Sequence, residues 1–486
     1  MTRSTPTIDS RHLYIDGDWS SATSNEAITV TNPFSLEIMG AAPRANGADV
    51  DRAVCAARAA FDTGPWGRFT GAERAVYLER IADQIDARGG ELAGLVTDEI
   101  GQPLGLSTVM NALAPSGTLR FYARVAREMV EEQGRPLTFS AGQTLVRREP
   151  VGVAGLIVPW NYPQVLLMSK LAPALAAGCT VVVKPAEETP LDALLLAELV
   201  ASAGLPPGVV NVVTGGRETG EALVRHPLVD KIAFTGSTEA GRQIAGSCGV
   251  LLRPVTLELG GKSAAVVLDD ADFDQVMRVV RDRSFMNSGQ TCFLLSRVLI
   301  PESQKKRFID GIIDVAQSLR LGDPRDSATD LGPLVSARIR DRVESFIAMG
   351  KTEGSLLTGG GRPQGVGNGY FVEPTVFAGC SPNGVIAQEE IFGPVISLFT
   401  YRDDAEALAL ANNSRFGLGG AVLSVDQNRA TEFARSMQTG TVGINSYDPD
   451  PAAPFGGYKD SGLGRENGPE AVDNYQRVKS IFVPRA

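Results

Sequence analysis

From Val151 onward, short apolar runs alternate with stretches of helical periodicity. Apolar strands are predicted at Gly152–Pro159, Cys179–Lys184, Val209–Thr214, Lys231–Thr235 and Val255–Glu258. Between them lie helical patterns at Val165–Ala177, Leu191–Ala203, Arg217–Arg225 and Ala240–Cys248. Such alternation predicts an α/β chain with a mostly parallel sheet and crossover helices. Sheets of this kind bind ligands at the carboxyl ends of their strands. A similar alternation covers residues 260–447, with strand Ala264–Leu268, helix Phe273–Phe285 and strand Arg297–Ile300 at its start. A chain of 486 residues is too long for one core, so two or three domains are expected.

Before Val151 the texture differs. Leu13–Trp19 and Ile28–Asn32 read as short strands, and Asp49–Asp62, Ala72–Arg88, Leu92–Ile100 and Asn111–Val130 as helices. Gly134–Pro136 reads as a break. Leu137–Pro150 is extended and polar-alternating, and Val478–Val483 near the C-terminus is a short extended segment. A strand like the first can pair outside its own domain, which suggests a contact between subunits.

Composition removes several functional classes. The formal net charge of −10 argues against an electrostatic nucleic-acid binder. No apolar run is long enough to span a bilayer. Met1–Trp19 is polar, carries Asp9, Asp16 and Asp18, and lacks the apolar core of a secretion signal, so a cytoplasmic protein is expected. Five cysteines (Cys55, Cys179, Cys248, Cys292 and Cys380) are scattered without a C-x-x-C pair, which suggests neither a disulfide framework nor a zinc site. Only His12 and His226 could supply an imidazole, and both fall in segments that read as surface. A Ser-His-Asp or Cys-His apparatus, or a histidine metal site, is therefore not expected.

What remains is a set of reactive residue types at strand ends. Cys292 follows the polar stretch Asn287-Ser288-Gly289-Gln290-Thr291, which reads as a turn open to a small molecule. A lone cysteine is more often a small core residue; that reading suits Cys55, Cys179 and Cys248 better than Cys292. Glu258 closes a strand and is followed by Gly260-Gly261, so it could be a base acting through water. Asn161, in Pro159-Trp160-Asn161, could donate to an oxyanion. Lys184-Pro185-Ala186-Glu187 could bracket a ribose, and an acid there favours NAD over NADP. Phe234-Thr235-Gly236-Ser237 and Thr214-Gly215-Gly216 each run from a strand into a helix whose N-terminus suits a phosphate. Taken singly, an exposed carboxylate is the favoured reading of Glu258 and a capping or turn asparagine that of Asn161, and a surface ion pair is the ordinary reading of Lys184 and Glu187.

Together and in order, the motifs resemble those of the aldehyde dehydrogenase superfamily. Pro159-Trp160-Asn161, Lys184-Pro185-x-Glu187, Phe234–Ser237, Glu258-Leu259-Gly260-Gly261-Lys262, Gly289-Gln290-x-Cys292, Glu389-Glu390-x-Phe392-Gly393-Pro394 and Pro454-Phe455-Gly456-Gly457-x-Lys459-x-Ser461-Gly462 all match. The resemblance implies a variant Rossmann cofactor domain without the usual glycine fingerprint (residues 1–128 and 148–258), an α/β catalytic domain (259–447) and a small β element for oligomerisation (129–147 and 470–486). It implies Cys292 as nucleophile, Glu258 as general base, and Asn161 with the main-chain N–H of Cys292 as oxyanion donors. Lys184, placed with the catalytic set as well, would hold the adenosine ribose with Glu187. Trp160, Gly215, Gly220, Phe234, Gly236, Ser237 and Gly260 would line the cofactor, with Glu390 and Phe392 at the nicotinamide end. NAD is the implied cofactor, with NADP possible, and a dimer or tetramer the implied assembly. No metal is implied.

The residues set around the substrate by the same likeness are Tyr162, Val165, Leu166, Phe285, Phe293 and Phe455, mostly apolar or aromatic. They predict a medium-sized apolar or aromatic aldehyde. Bulky Phe293-Leu294-Leu295 after the cysteine, two acids in Ser446–Ala453, and Arg477 where several relatives carry an acid are departures from the pattern. A CoA-acylating enzyme is a rival reading that Glu258 opposes. A non-catalytic protein on the same fold is another, opposed by the intact Cys292, Glu258 and Asn161.

Overall fold

The computed structural model describes residues 8–9, 12–139 and 141–484. Most of the polar N-terminal segment therefore lies outside the described residues. An eight-stranded sheet has the order Gly462–Leu463, Val255–Glu258, Lys231–Thr235, Val153–Ile157, Thr180–Lys184, Val210–Val212, His12–Ile15, Asp18–Ser21. The five strands from Val255–Glu258 to Val210–Val212 are parallel, and both flanking pairings are antiparallel. Every residue of Val153–Ile157, Thr180–Lys184 and Lys231–Thr235 is buried. That is why these strands read as continuous apolar runs rather than as alternation: helices cover both faces.

A second sheet has seven strands, in the order Ser355–Thr358, Thr375–Ala378, Val395–Tyr401, Arg297–Pro301, Ala264–Val267, Gly420–Leu423, Gly443–Ile444. All its pairings are parallel except the first. A third, antiparallel sheet joins Glu132–Pro136, Gly142–Pro150 and Gln476–Pro484. The doubly covered α/β architecture expected from the alternation is what the chain adopts.

Four local expectations are corrected. Ala72–Arg88 and Leu92–Ile100 form one helix, Gly71–Ile100, bent where Arg88 takes φ −120° and ψ 18°. Gly89-Gly90 does not end it because Gly89 packs against Ala112 of the neighbouring helical segment, an approach only glycine permits. The helix expected from Asn111 starts earlier, as Leu104–Thr108, passes through a π-helical turn at Val109–Leu113 and continues as Ala114–Glu128. Gly134–Pro136 is no break but part of an exposed edge strand, where a proline loses no ladder bond. Cys55, expected in the core, is exposed on helix Gly47–Asp62, off the stripe formed by Val50, Ala53, Val54 and Ala57. Cys179, Cys248 and Cys380 are buried. His12 is exposed and His226 is half-buried beside Asp51 at 3.1 Å.

Candidate active site

The strand register brings the chemistry to one edge. Thr235 pairs with Glu258, Phe234 with Ile157, and Ile157 with Lys184, so these four strands end level. The loops they release carry Trp160-Asn161, Pro185–Glu187, Gly236-Ser237 and Gly260-Gly261.

Cys292 comes from the second sheet. Its loop leaves helix Phe273–Ser284 through a tight turn in which Asn287, Ser288 and Gly289 all have positive φ (53°, 55° and 80°). Two non-glycine residues held this way cost about 1–3 kcal/mol each and persist only where surroundings over-determine them. Here they do. The loop, expected as an open polar turn, is buried from Asn287 to Thr291, and its polar groups are satisfied inside the protein. Asn287 Nδ2 donates to the Asn161 carbonyl at 3.1 Å, and Ser288 Oγ to the Gly332 carbonyl at 2.7 Å. Gln290 Oε1 accepts from the Val335 N–H at 3.0 Å, and Thr291 Oγ1 lies 2.8 Å from the Tyr162 hydroxyl. Gly261 lets the two halves meet: a Cβ there would strike the carbonyl oxygen of Cys292. Cys292 itself remains half-buried at the end of this packed loop.

A pocket of about 280 Å³ is lined by Trp160, Asn161, Thr235, Gly236, Ser237, Gly260, Cys292, Glu390 and Phe392. Asn161 Nδ2 donates one hydrogen bond to the Gln290 carbonyl at 3.0 Å. Trp160 and Phe392 meet edge to face with centroids 5.5 Å apart, and Phe392 is itself held at φ 64°. Glu390 Oε1 accepts from the Gly261 N–H at 3.0 Å. The bare Cα of Gly260 makes room for that carboxylate, since a Cβ would sit 2.5 Å from Oε2.

A second groove, about 770 Å³, runs between helices Arg217–Arg225 and Thr238–Val250 and shares Ser237 with the first. Lys184, Gly216, Gly220 and Phe234 line it. Ser237 caps the second helix, accepting from the Ala240 N–H at 3.3 Å. Two expected cofactor residues stand elsewhere. Gly215 faces the Thr219 side chain, whose hydroxyl is tied to the Ala45 carbonyl, and is not on the groove wall. Glu187 stands beside Gly216 rather than on that wall, and its Oε1 accepts from Arg44 Nη2 at 2.5 Å. Arg44 carries no sequence signal; it arrives from the distant strand Ile38–Pro43.

Burial shapes the ionisation of the reacting groups. Glu258 is 4% exposed, and neither carboxylate oxygen has a hydrogen-bond partner among the described residues. Its pKa is pushed well above the ordinary carboxylate value by burial and then by Glu466; Lys170 and Arg465 oppose this. Lys170 Nζ donates to Glu466 Oε2 at 2.9 Å and to Thr235 Oγ1 at 2.5 Å, so a buried ion pair stands behind Glu258. The Cys292 thiol is pushed up by burial and by the Glu390 and Glu258 carboxylates, while main-chain N–H groups of Phe293 and Cys292 favour its thiolate. Glu390 is raised by burial to about 7, and Lys184 lowered by burial to about 8.

On the substrate side, Phe293 packs edge to face on Tyr447 (5.3 Å) and Phe455 (6.1 Å). Val165 and Leu166 are half-buried on the first turn of helix Pro163–Ala177, after buried Tyr162. Phe285, expected among them, is fully buried in the core under the second sheet, with Val276, Val298 and Phe308. The half-buried neighbour is Met286, which the apolar reading of Phe285 passed over. Arg283 pairs with Asp448, one of the two acids of the Ser446–Ala453 loop, and the other, Asp450, is exposed.

Cys292, the Asn161 amide and the buried Glu258 carboxylate thus stand at the strand ends beside two cavities that share Ser237. Residues 19–481 match the aldehyde dehydrogenase family, and the chain belongs to it. It is an oxidoreductase acting on aldehydes. Geranial dehydrogenase of Castellaniella defragrans is 48% identical over 98% of this chain and 99% of its own length. Betaine aldehyde dehydrogenase 1 of Oryza sativa is 42% identical over 98% and 95%. Among solved structures, a Mycobacterium tuberculosis aldehyde dehydrogenase complexed with NAD+ superposes with a TM-score of 0.96 at 43% identity, covering 98% of this chain and 99% of that one.

Proposed function

We propose that the enzyme oxidises a medium-sized apolar aldehyde, of the geranial or aromatic kind, to its carboxylic acid with NAD. The observation that carries the substrate class is the aromatic wall of Phe293, Tyr447 and Phe455 beside Cys292, with Asp448 of the adjoining loop already paired to Arg283. Aromatic rings also suit a cationic aldehyde such as betaine aldehyde. That second reading is supported by the rice relative, but the acid of the adjoining loop that could add to it, Asp448, is paired with Arg283.

NAD fits the residues present. The two cavities share Ser237 and extend from Lys184 to Cys292, and glycines at 216, 220, 236 and 260 keep their walls bare. The adenosine end is assigned to Lys184 on the groove wall, to Glu187 just behind the wall at Gly216, and to the start of helix Thr238–Val250, and the nicotinamide end to Glu390, Phe392 and Trp160. Glu187 disfavours a 2′-phosphate; Arg44 beside it gives NADP a foothold. When bound, NAD supplies the hydride acceptor.

The chain's own residues do the rest. Cys292 gives up its thiol proton to solvent, and the thiolate Sγ adds to the carbonyl carbon, whose π electrons move to the oxygen to form the thiohemiacetal anion. Asn161 Nδ2 and the Cys292 N–H hold the oxygen as it gains charge. Loss of hydride leaves a thioester on Cys292. Glu258, with both oxygens unengaged and its basicity raised, takes a proton from the water that attacks the thioester. The acid leaves and the thiol is restored. A water-activating carboxylate makes water, rather than CoA, the acceptor.

Among the described residues no helix is long and apolar enough to cross a membrane. Five unpaired thiols support a reducing compartment such as the cytoplasm. The exposed strand Gln476–Pro484, with Val478, Ile481 and Phe482 uncovered, supports assembly into a dimer or tetramer.

The test is an aldehyde panel followed as reduced nicotinamide. With NAD, kcat/KM for geranial, benzaldehyde and hexanal is expected to exceed that for succinic semialdehyde and betaine aldehyde by about 100-fold. Cys292→Ala abolishes all of it. A clear preference for either charged aldehyde rejects the substrate class.

A further inference from the structure

Behind Asn161, away from the pocket, lies a buried amide pair that no motif announces. Gln102 and Asn111 are both 0% exposed. Gln102 follows the end of helix Gly71–Ile100, and Asn111 sits at the middle of the π-helical turn Val109–Leu113. Turns of this type are uncommon and occur frequently at functional sites.

The pair is saturated and directional. Asn111 Nδ2 donates to Gln102 Oε1 at 2.8 Å and to Ser107 Oγ at 3.1 Å. Ser107 Oγ in turn donates to the Ala93 carbonyl at 2.8 Å, anchoring the cluster to the long helix. The two remaining functions point at the segment that carries the oxyanion donor. Gln102 Nε2 donates to the main-chain carbonyl of Asn161 at 3.4 Å, and Asn111 Oδ1 accepts from the N–H of Gln164 at 3.4 Å. The same Asn161 carbonyl also receives Asn287 Nδ2 at 3.1 Å, from the Cys292 loop. Thus the peptide after Asn161 is held from two sides: by the nucleophile's own loop and by the amide pair.

From this geometry, and resting on the reading of Asn161 as the oxyanion donor, we infer that Gln102 and Asn111 are positioning residues for hydride transfer: they set the Asn161 peptide, and through it the Asn161 amide, against Cys292. Neither lines the pocket. A cluster that served packing alone would be as well filled by apolar side chains; this one spends both outward-facing groups on the main chain flanking one residue. A small misplacement of a donor from the developing charge weakens the transition state without touching cofactor binding.

The test uses Gln102→Met and Asn111→Leu, which keep volume and remove the bonds, and single-turnover formation of reduced nicotinamide in the full-length enzyme. Each variant is expected to slow the single turnover about tenfold while leaving NAD affinity within twofold. In an Asn161→Ala background the same changes should alter the rate less than twofold. Gln102→Glu, which keeps the acceptor for Asn111 and loses the donor to Asn161, should reproduce the loss even if Gln102→Met folds poorly. Equal losses with and without Asn161, or no loss in a folded variant, overturn the inference. An unchanged rate in Asn161→Ala alone overturns the oxyanion reading itself, and the positioning role with it.

Discussion

Glu258 illustrates how a single residue's surroundings decide its work. In water a glutamate ionises near pH 4.3 and is a poor base. Buried at a strand end, with Glu466 nearby and no donor on either oxygen, it holds its proton to much higher pH. Turnover limited by thioester hydrolysis should therefore rise with pH as Glu258 deprotonates. In Glu258→Gln that rise should vanish, with kcat lower by at least about 100-fold, measured from pH 6 to 9. The same shift has an opposite sign for stability. Because the folded value is raised above the unfolded one, the contribution is intact at low pH and fades as pH climbs through the folded value. Glu258→Gln should accordingly melt higher than the parent on the alkaline side. Glu258, Asn161 and Cys292 were readable from the chain because each lies in a recognisable run, the first two at or just after a strand end and Cys292 in the polar turn between a helix and a strand. Arg44 and Lys170 were not: one lies in an unremarkable Pro-Arg segment, the other in a helix whose apolar text hides a buried cation.

At the scale of elements, the site is a meeting of loops whose closeness depends on missing side chains. The pattern of strands and helices from Val151 to Glu258 could be read nearly to the residue, because doubly covered strands leave unbroken apolar runs. Less legible was the turn before Cys292. Its polar letters suggest exposure, and only the partners Gly332, Val335, Tyr162 and Asn161, all distant in sequence, explain why it is buried. Gln102 and Asn111 escaped notice for the same reason, since a π turn has no periodic signature of its own. Gly261 shows the sensitivity of the arrangement. A methyl there would push on the Cys292 carbonyl, so Gly261→Ala should cut hydride transfer by about 100-fold. Cofactor binding, followed by quenching of protein fluorescence, should persist; a variant with parental turnover would show that the loop has slack.

For the whole molecule, the third sheet is the part least explained by the chain alone. Glu132–Pro136 is exposed along its length, and Gln476–Pro484 from Arg477 onward, with Phe482 71% uncovered. Within the chain Arg477 is paired with Asp230 at 3.2 Å, which gives that departure from the family pattern a local use. A subunit contact at this sheet predicts that Phe482→Asp lowers the mass seen by light scattering while leaving the far-ultraviolet circular dichroism unchanged. An unaltered mass would place the contact elsewhere.

The pairing of Leu257 with Leu463 and of Glu258 with Gly462 means that Glu258, the proposed general base, is stitched to a segment only a short way upstream of that exposed final strand. A load on the tail is expected to be felt at the strand that carries Glu258. Fusions and purification handles belong at the opposite terminus, and an enzyme prepared with a heavy C-terminal appendage would be expected to bind its dinucleotide normally yet release its acid slowly.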